Sequence, residues 1–100
     1  ADLTHVVDAL QRCPQLSVAA ALGPEHGFRG TAQAGGSEAA GVDARSGLPC
    51  LDTYRKRGEE LAQLLRGAGC TAVVVDLQDV GARFYTYVWT LFDVMEAAAL

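Results

Sequence analysis

The chain has 100 residues, half of them hydrophobic, and a formal net charge of −4 at pH 7. This length suits one small domain, and an acidic balance without a basic stripe argues against nucleic acid or an anionic membrane surface as the main partner. No stretch approaches the ~18 apolar residues of a membrane span, and Cys13, Cys50 and Cys70 are spaced too widely for a zinc site.

The first half of the chain is predicted to contain one helix, one strand and a long loop. Apolar residues at i, i+3, i+4 and i+7 from Leu3 predict a short amphipathic helix, capped by Asp2 or Thr4 and ended by Pro14. Residues 16–22 (LSVAAAL) have the composition of a buried parallel strand. The next twenty-five or so residues are mostly Gly, Ala and small polar types without a period, and such long loops are usually functional or disordered.

The second half of the chain is predicted to be richer in regular structure. Residues 48–54 are predicted to form a short irregular strand, and because Pro49 cannot donate to a ladder, the strand either lies at an edge of the sheet or has Pro49 at its start. Leucines at helical spacing, with acids first and Arg66 last, predict a helix over 59–66. The β-branched run 71–77 is the clearest strand of the sequence. A long helix with one apolar face is predicted to begin near Arg83.

This alternation predicts an α/β fold with a Rossmann-like parallel sheet and helices on both faces. The strands at 16–22 and 71–77 would then end at the same edge, where ligands collect in open α/β sheets. So few strands leave edges and faces bare, and we therefore expect residues 1–100 to be part of a longer domain. The polar residues that follow the two strands are expected to line one cleft.

The first polar cluster is the heptapeptide 24–30 (PEHGFRG). A carboxyl group such as Glu25, held on a turn beside apolar walls, could have a raised pKa and donate a proton. The alternative, which composition alone favours, is an ion pair from Glu25 to His26 or Arg29 that fixes the loop. His26 would bind a hydroxyl or be satisfied by a carbonyl, Arg29 would bind paired oxygens or clamp the loop, and Phe28 is predicted to anchor the loop in the core.

The second polar cluster follows residues 71–77. A helix N-cap at Asp79 and an i, i+4 pair with Arg83 would explain both residues without function. Alternatively, free N–H groups after Gly81 would suit an anionic or hydroxyl-rich ligand. Tyr87 lies on the apolar face and is expected to be partly buried. The sequence contains no nucleotide-binding glycine motif and no serine-hydrolase or zincin motif.

Three longer motifs are GPEHGFRG at 23–30, VDARSGLP at 42–49 and VVDLQDVGARFYTYVWTLFDVMEAA at 74–98. Through them, most of the chain resembles the exo-acting β-N-acetylmuramidases of peptidoglycan turnover, a family first catalogued as a domain of unknown function. The resemblance implies a glycosidase that releases terminal N-acetylmuramic acid from peptidoglycan fragments, with a Rossmann-like catalytic domain followed by a second domain that closes the cleft. No cofactor or metal ion is expected.

The resemblance also implies roles for single residues. Glu25 corresponds to the leading catalytic residue of the family and is expected to be the acid, with Asp79 or a residue outside the chain as the second carboxyl group. The expected substrate-binding residues are His26, Arg29, Asp79, Arg83 and Tyr87. The family's opening strand has no counterpart here, and residues 50–60 diverge. The competing hypotheses are a non-catalytic cell-wall-sugar binding module or degenerate paralogue, and a plain structural α/β fragment.

Overall fold

The structure, a computed structural model, describes residues 2–100 as an α/β fold with helices packed beside a small sheet. The elements are α1 Val6–Gln11, β1 Ala21–Gly23, β2 Gly41–Val42, β3 Pro49–Asp52, α2 Gly58–Gly67 and α3 Tyr87–Ala99. Within the described range, no helix is long and apolar enough to cross a membrane.

The sheet has the strand order β1–β3–β2, with β1 parallel and β2 antiparallel to β3. Gly23 pairs with Asp52, so β1 and β3 end side by side at one edge of the sheet. Thr53, which directly follows β3, is only 3% exposed. Its backbone N–H and its hydroxyl both donate to the Gly23 carbonyl oxygen, at 3.0 and 2.9 Å. These two hydrogen bonds therefore fix the position at which the loop beginning at Pro24 leaves the sheet.

This mixed sheet differs from the parallel sheet that the sequence predicts. The ladder of the first strand covers only the end of the predicted run 16–22, and residues 71–77 form no strand within the described structure. β-Branched residues favour an extended backbone, but a strand also needs a neighbour that satisfies its N–H and C=O groups. Both segments instead line one cavity of about 680 Å³, and Val74 is 63% exposed.

The helices begin where local hydrogen bonds place them. α1 is capped by His5, whose ring Nδ1 accepts from the Val7 N–H at 3.2 Å, rather than by Asp2 or Thr4. α2 matches its prediction to within one residue at each end. α3 begins at Tyr87 and not near residue 83, because turns that include Gly81 at φ +70° occupy the chain before it.

Two hydrophobic clusters form the core. Leu61, Ala62 and Leu65 of α2 pack against Val94 and Ala97 of α3. The second cluster joins α1 to the sheet side of the molecule and consists of Val7, Ala21 and Leu48, with the partly buried Phe28 packed against it. The prediction that Phe28 anchors its loop in the core is therefore confirmed. This second cluster supports the loop that carries the polar residues of the heptapeptide.

Candidate functional site

The Glu25 carboxylate is the point where the motif at 23–30 meets the motif at 74–98. Its Oε2 accepts a hydrogen bond from the Thr86 hydroxyl at 2.6 Å, and its Oε1 accepts from the Gly35 N–H at 2.7 Å. The Tyr87 hydroxyl donates to the backbone carbonyl of Glu25 at 3.4 Å. Residues of the motif at 74–98 thus lie directly on the motif at 23–30, at the edge of the sheet where β1 ends.

These donors determine the charge of the Glu25 carboxyl group. Hydrogen bonds from Thr86, chiefly, and from Gly35 lower the pKa of Glu25, and they outweigh the opposing effect of burial. The direction is opposite to the raised pKa that a proton donor would need. The predicted ion pair from Glu25 to His26 or Arg29 is also wrong, because neither makes a salt bridge to it in the described chain. Glu25 is thus a hydrogen-bonded, ionised carboxylate.

His26 is held by its own loop. Its backbone has φ +73°, a left-handed conformation that is uncommon for residues other than glycine. Its N–H donates to the Gly36 carbonyl at 3.0 Å, and its ring Nδ1 lies 3.0 Å from the Ala32 carbonyl oxygen. Since a carbonyl only accepts, this bond places a hydrogen on Nδ1 and leaves Nε2 unbonded within the described chain.

Arg29 clamps the loop to two other parts of the chain. Its Nε and Nη2 donate to the two oxygens of Asp43 at 2.9 and 2.7 Å, and Nη2 also donates to Asp8 Oδ1 at 3.1 Å. The guanidinium lowers the pKa of both carboxyl groups. Arg45 lies 3.1 Å from the buried Asp8 Oδ2, which has no hydrogen bond, and so contributes only its charge. Of the two roles considered for Arg29, the structure shows the clamp.

Asp79 and Arg83 lie apart from these contacts. Asp79 is exposed, and its Oδ2 accepts from the Gly81 N–H at 2.9 Å, a local turn rather than a helix cap. Arg83 is exposed and makes no ion pair with residues 2–100. The predicted Asp79–Arg83 pair is wrong because both residues precede α3 and are not one helical turn apart. No hydrogen bond within the described chain joins Asp79 to Glu25.

Two further carboxylates lie near the heptapeptide and were not singled out from the sequence. Asp52 ends β3 beside Gly23, and its Oδ2 accepts from the Ser37 hydroxyl at 2.8 Å. Glu38 covers Gly27 so closely that a Cβ there would lie 2.5 Å from its carboxyl carbon. The position of Asp52 at the end of a predicted strand was a usable signal, whereas Glu38 lies in a loop without periodicity.

The large cavity of the molecule does not enclose the candidate carboxylate. It is lined mainly by residues of 16–22, 69–78 and α3. It also reaches Tyr87 and, in the heptapeptide, Pro24 and residues 27–30, but not Glu25. Among residues 2–100, no three His, Cys, Asp or Glu side chains gather as metal ligands would. The Glu25 carboxylate therefore lies at the edge of the sheet and outside this cavity.

Known proteins of similar sequence indicate the same family that the motifs resemble. A family model described as exo-β-N-acetylmuramidase NamZ, N-terminal, matches residues 1–100. The peptidoglycan β-N-acetylmuramidase NamZ of Bacillus subtilis (strain 168) is 40% identical over 96 residues, which cover 96% of this chain and 23% of that protein. No solved structure matches the chain significantly. The chain therefore belongs to the family of N-terminal domains of the NamZ exo-β-N-acetylmuramidases.

Proposed function

We propose that the protein containing this chain is a glycosidase that releases terminal N-acetylmuramic acid from peptidoglycan fragments. Family membership and the name of the Bacillus subtilis relative support this activity. The observation that carries the proposal is the ionised Glu25 carboxylate, held by two hydrogen bonds where the motifs at 23–30 and 74–98 meet. Because the chain spans 23% of that relative, the proposal concerns the whole protein and not these residues alone.

Glu25 is assigned the ionised role in this reaction. Glycoside hydrolysis normally uses one protonated carboxyl group, which gives its proton to the leaving oxygen, and one ionised carboxylate, which attacks the sugar or activates water. The low pKa of Glu25 suits the second role and not the acid role first expected. The proton donor is then another group. Asp79, exposed and bonded only to Gly81, is one candidate, and a residue outside this chain is the other.

The remaining candidate residues are proposed as substrate contacts of different kinds. His26 offers Nε2 to a sugar hydroxyl, and the Tyr87 hydroxyl lies beside the Glu25 backbone. Arg83, exposed and without an ion pair in the described chain, offers a cation to the lactyl carboxylate of N-acetylmuramic acid. Arg29 is engaged by two carboxylates and is proposed to position the loop rather than to bind sugar.

We also propose that the intact protein completes this fold. The β-branched residues 71–77 have no partner strand in the described chain, yet they line an apolar cavity together with residues 16–22. A larger, Rossmann-like parallel sheet would satisfy their backbone groups, and a second domain would cover the open edge near Glu25. Both features would be supplied by the part of the protein beyond these 100 residues.

The substitution E25Q in the intact protein tests the catalytic proposal. It removes the charge but keeps the size of the side chain, so we expect release of N-acetylmuramic acid from a chromogenic β-N-acetylmuramide to fall about 10³-fold or more. The melting temperature should fall by only a few degrees, roughly 2–5 °C, because the amide oxygen can still accept from one of the two donors. The same chemical change at the exposed Glu96 of α3 is the matched control.

Turnover by E25Q at a rate near that of the E96Q control would contradict the proposal. Sugar binding without turnover by the unsubstituted protein would instead favour the competing hypothesis of a non-catalytic cell-wall-sugar binding module.

A further inference from the structure

We propose that Thr86 is a positioning residue whose hydroxyl holds the Glu25 carboxylate in a fixed orientation and in its ionised form. This inference rests on the proposed function, since it assigns the group that prepares Glu25 for catalysis. The sequence did not single out Thr86, because it lies 61 residues from Glu25 along the chain.

The hydrogen bond of the Thr86 hydroxyl is unusual for a residue at the start of a helix. Thr86 is the N-cap residue of α3, where a threonine hydroxyl typically accepts from an N–H of the first helical turn. Here its backbone has φ −91° and ψ −11°, and its side chain makes no capping bond. The hydroxyl donates instead to Glu25 Oε2 at 2.6 Å, a short hydrogen bond to a charged acceptor. The side chain thus serves the carboxylate rather than the helix.

The first turn of α3 holds Thr86 in place. The Thr90 N–H donates to the Thr86 carbonyl at 3.0 Å, and the Thr90 hydroxyl lies 3.3 Å from the same oxygen. The next residue, Tyr87, contacts the other side of Glu25 by donating to its backbone carbonyl. A donor fixed at the start of a helix can orient a carboxylate without the entropy loss of ordering a mobile side chain.

The other groups that face Glu25 do not duplicate this contact. The Gly35 N–H reaches only Oε1. His26 and Arg55 act at longer range and lower the pKa of Glu25 less than Thr86 does. Burial raises the pKa of Tyr87, which therefore remains a neutral hydroxyl at neutral pH. Loss of the Thr86 hydroxyl would leave Oε2 without its donor, and the pKa of Glu25 would rise.

The sign of the effect on activity follows from the ionised role of Glu25. Activity that needs the carboxylate is lost as the pH falls through the pKa of Glu25. A variant with a higher pKa at this group loses activity at a higher pH, so the acid limb of its kcat/KM profile moves upward.

The experiment compares T86V, T86S and T90V in the intact protein, using the pH profile of kcat/KM on a chromogenic β-N-acetylmuramide. We expect the acid limb of T86V to move up by about one pH unit, with a loss of about tenfold in kcat/KM above it. T86S keeps a hydroxyl and should retain the original limb. T90V makes the same change one helical turn later, where the hydroxyl contacts only the backbone of Thr86, and should leave the limb in place.

A second measurement does not depend on activity. NMR titration of the Glu25 carboxyl carbon should show the same upward shift in T86V, and T86A replaces T86V if the latter does not fold. If the unsubstituted protein fails to cleave the glycoside, the proposed function fails while this titration still tests Thr86. An unchanged acid limb together with an unchanged Glu25 titration in T86V would overturn the inference.

Discussion

The loop at 23–30 and the segment at 71–80 both have distinctive sequence patterns. In the described structure, hydrogen bonds fix the loop, whereas the segment has no partner strand. In the loop, Glu25, His26 and Arg29 each find hydrogen-bond partners within the described chain. In residues 71–80 of the described structure, the one side-chain hydrogen bond is accepted by Asp79, and the side chains of Val74, Val75 and Val80 are exposed. Polar loops can be fixed by donors in their own chain, whereas a β-branched run acquires its structure only from a neighbouring strand.

Removal of the Arg29 clamp should damage the well-fixed loop most. R29M keeps a long apolar stem but removes the salt bridge of Asp43 and leaves Asp8 with its salt bridge to Arg45. We expect the melting temperature to fall by on the order of 10 °C, measured by circular dichroism of the intact protein. The control is R45M, because the Arg45 side chain is 68% exposed and should contribute little. Equal melting temperatures for R29M and R45M would contradict the clamp.

The pH dependence of stability is a second test of the Arg29 clamp. Because Arg29 lowers the pKa of Asp8 and Asp43 in the folded state, their stabilisation is fully present above the unfolded carboxyl pKa of about 4. It is lost as the pH falls below that value, toward their lowered folded pKa values. R29M should therefore show a flatter decline in stability below about pH 4 than the unsubstituted protein.

A smaller loss is expected from G27A, which tests the close contact within the loop. Gly27 has φ +78°, and a Cβ there would overlap the Glu38 carboxyl group. We expect a fall in melting temperature of roughly 5–10 °C. Gly47 offers a matched control, since it has φ +72° but open space around its Cβ position. A larger loss in G27A than in G47A isolates the contact with Glu38, and equal losses would show that the backbone conformation alone matters.

The smallest effect is expected at residues 71–77 and is tested without a substitution. Amide hydrogen exchange should be fast for these residues in the 100-residue chain, because no ladder protects them there. In the intact protein, the same amides should be protected if further strands complete the sheet. Equal, fast exchange in both proteins would show that this segment is not a strand in either.

The sequence predicted best those elements whose formation depends on interactions between residues close together in the chain. The helix at Gly58–Gly67 follows from leucine spacing and from the acids in its first turn, both of which act within a few residues. The strand predicted at 48–54 is present as Pro49–Asp52 with Pro49 at its start, but it lies between β1 and β2 and not at an edge of the sheet. The sequence did not predict the strand Gly41–Val42, because two residues are too few to show a periodic pattern. This strand exists through its pairing with β3.

The chemistry of Glu25 was harder to predict for a related reason. The sequence offered His26 and Arg29 as the nearest charges, and proximity along the chain favoured an ion pair. The actual donors are Gly35 and Thr86, an unremarkable backbone amide and a hydroxyl 61 residues away. No local pattern encodes such a contact, so both the sign of the pKa shift and the ionised state of the carboxylate required the folded structure.

The two hydrogen bonds from Thr53 to the Gly23 carbonyl have a consequence for how this loop can evolve. They fix the last peptide plane before Pro24, so the direction in which the chain leaves the sheet is set by β3 rather than by the loop. Pro24 then restricts the next backbone angle. The exposed stretch at 39–40 lies beyond these constraints. Changes of sequence or length there are therefore expected to leave the position of the Glu25 carboxylate unchanged.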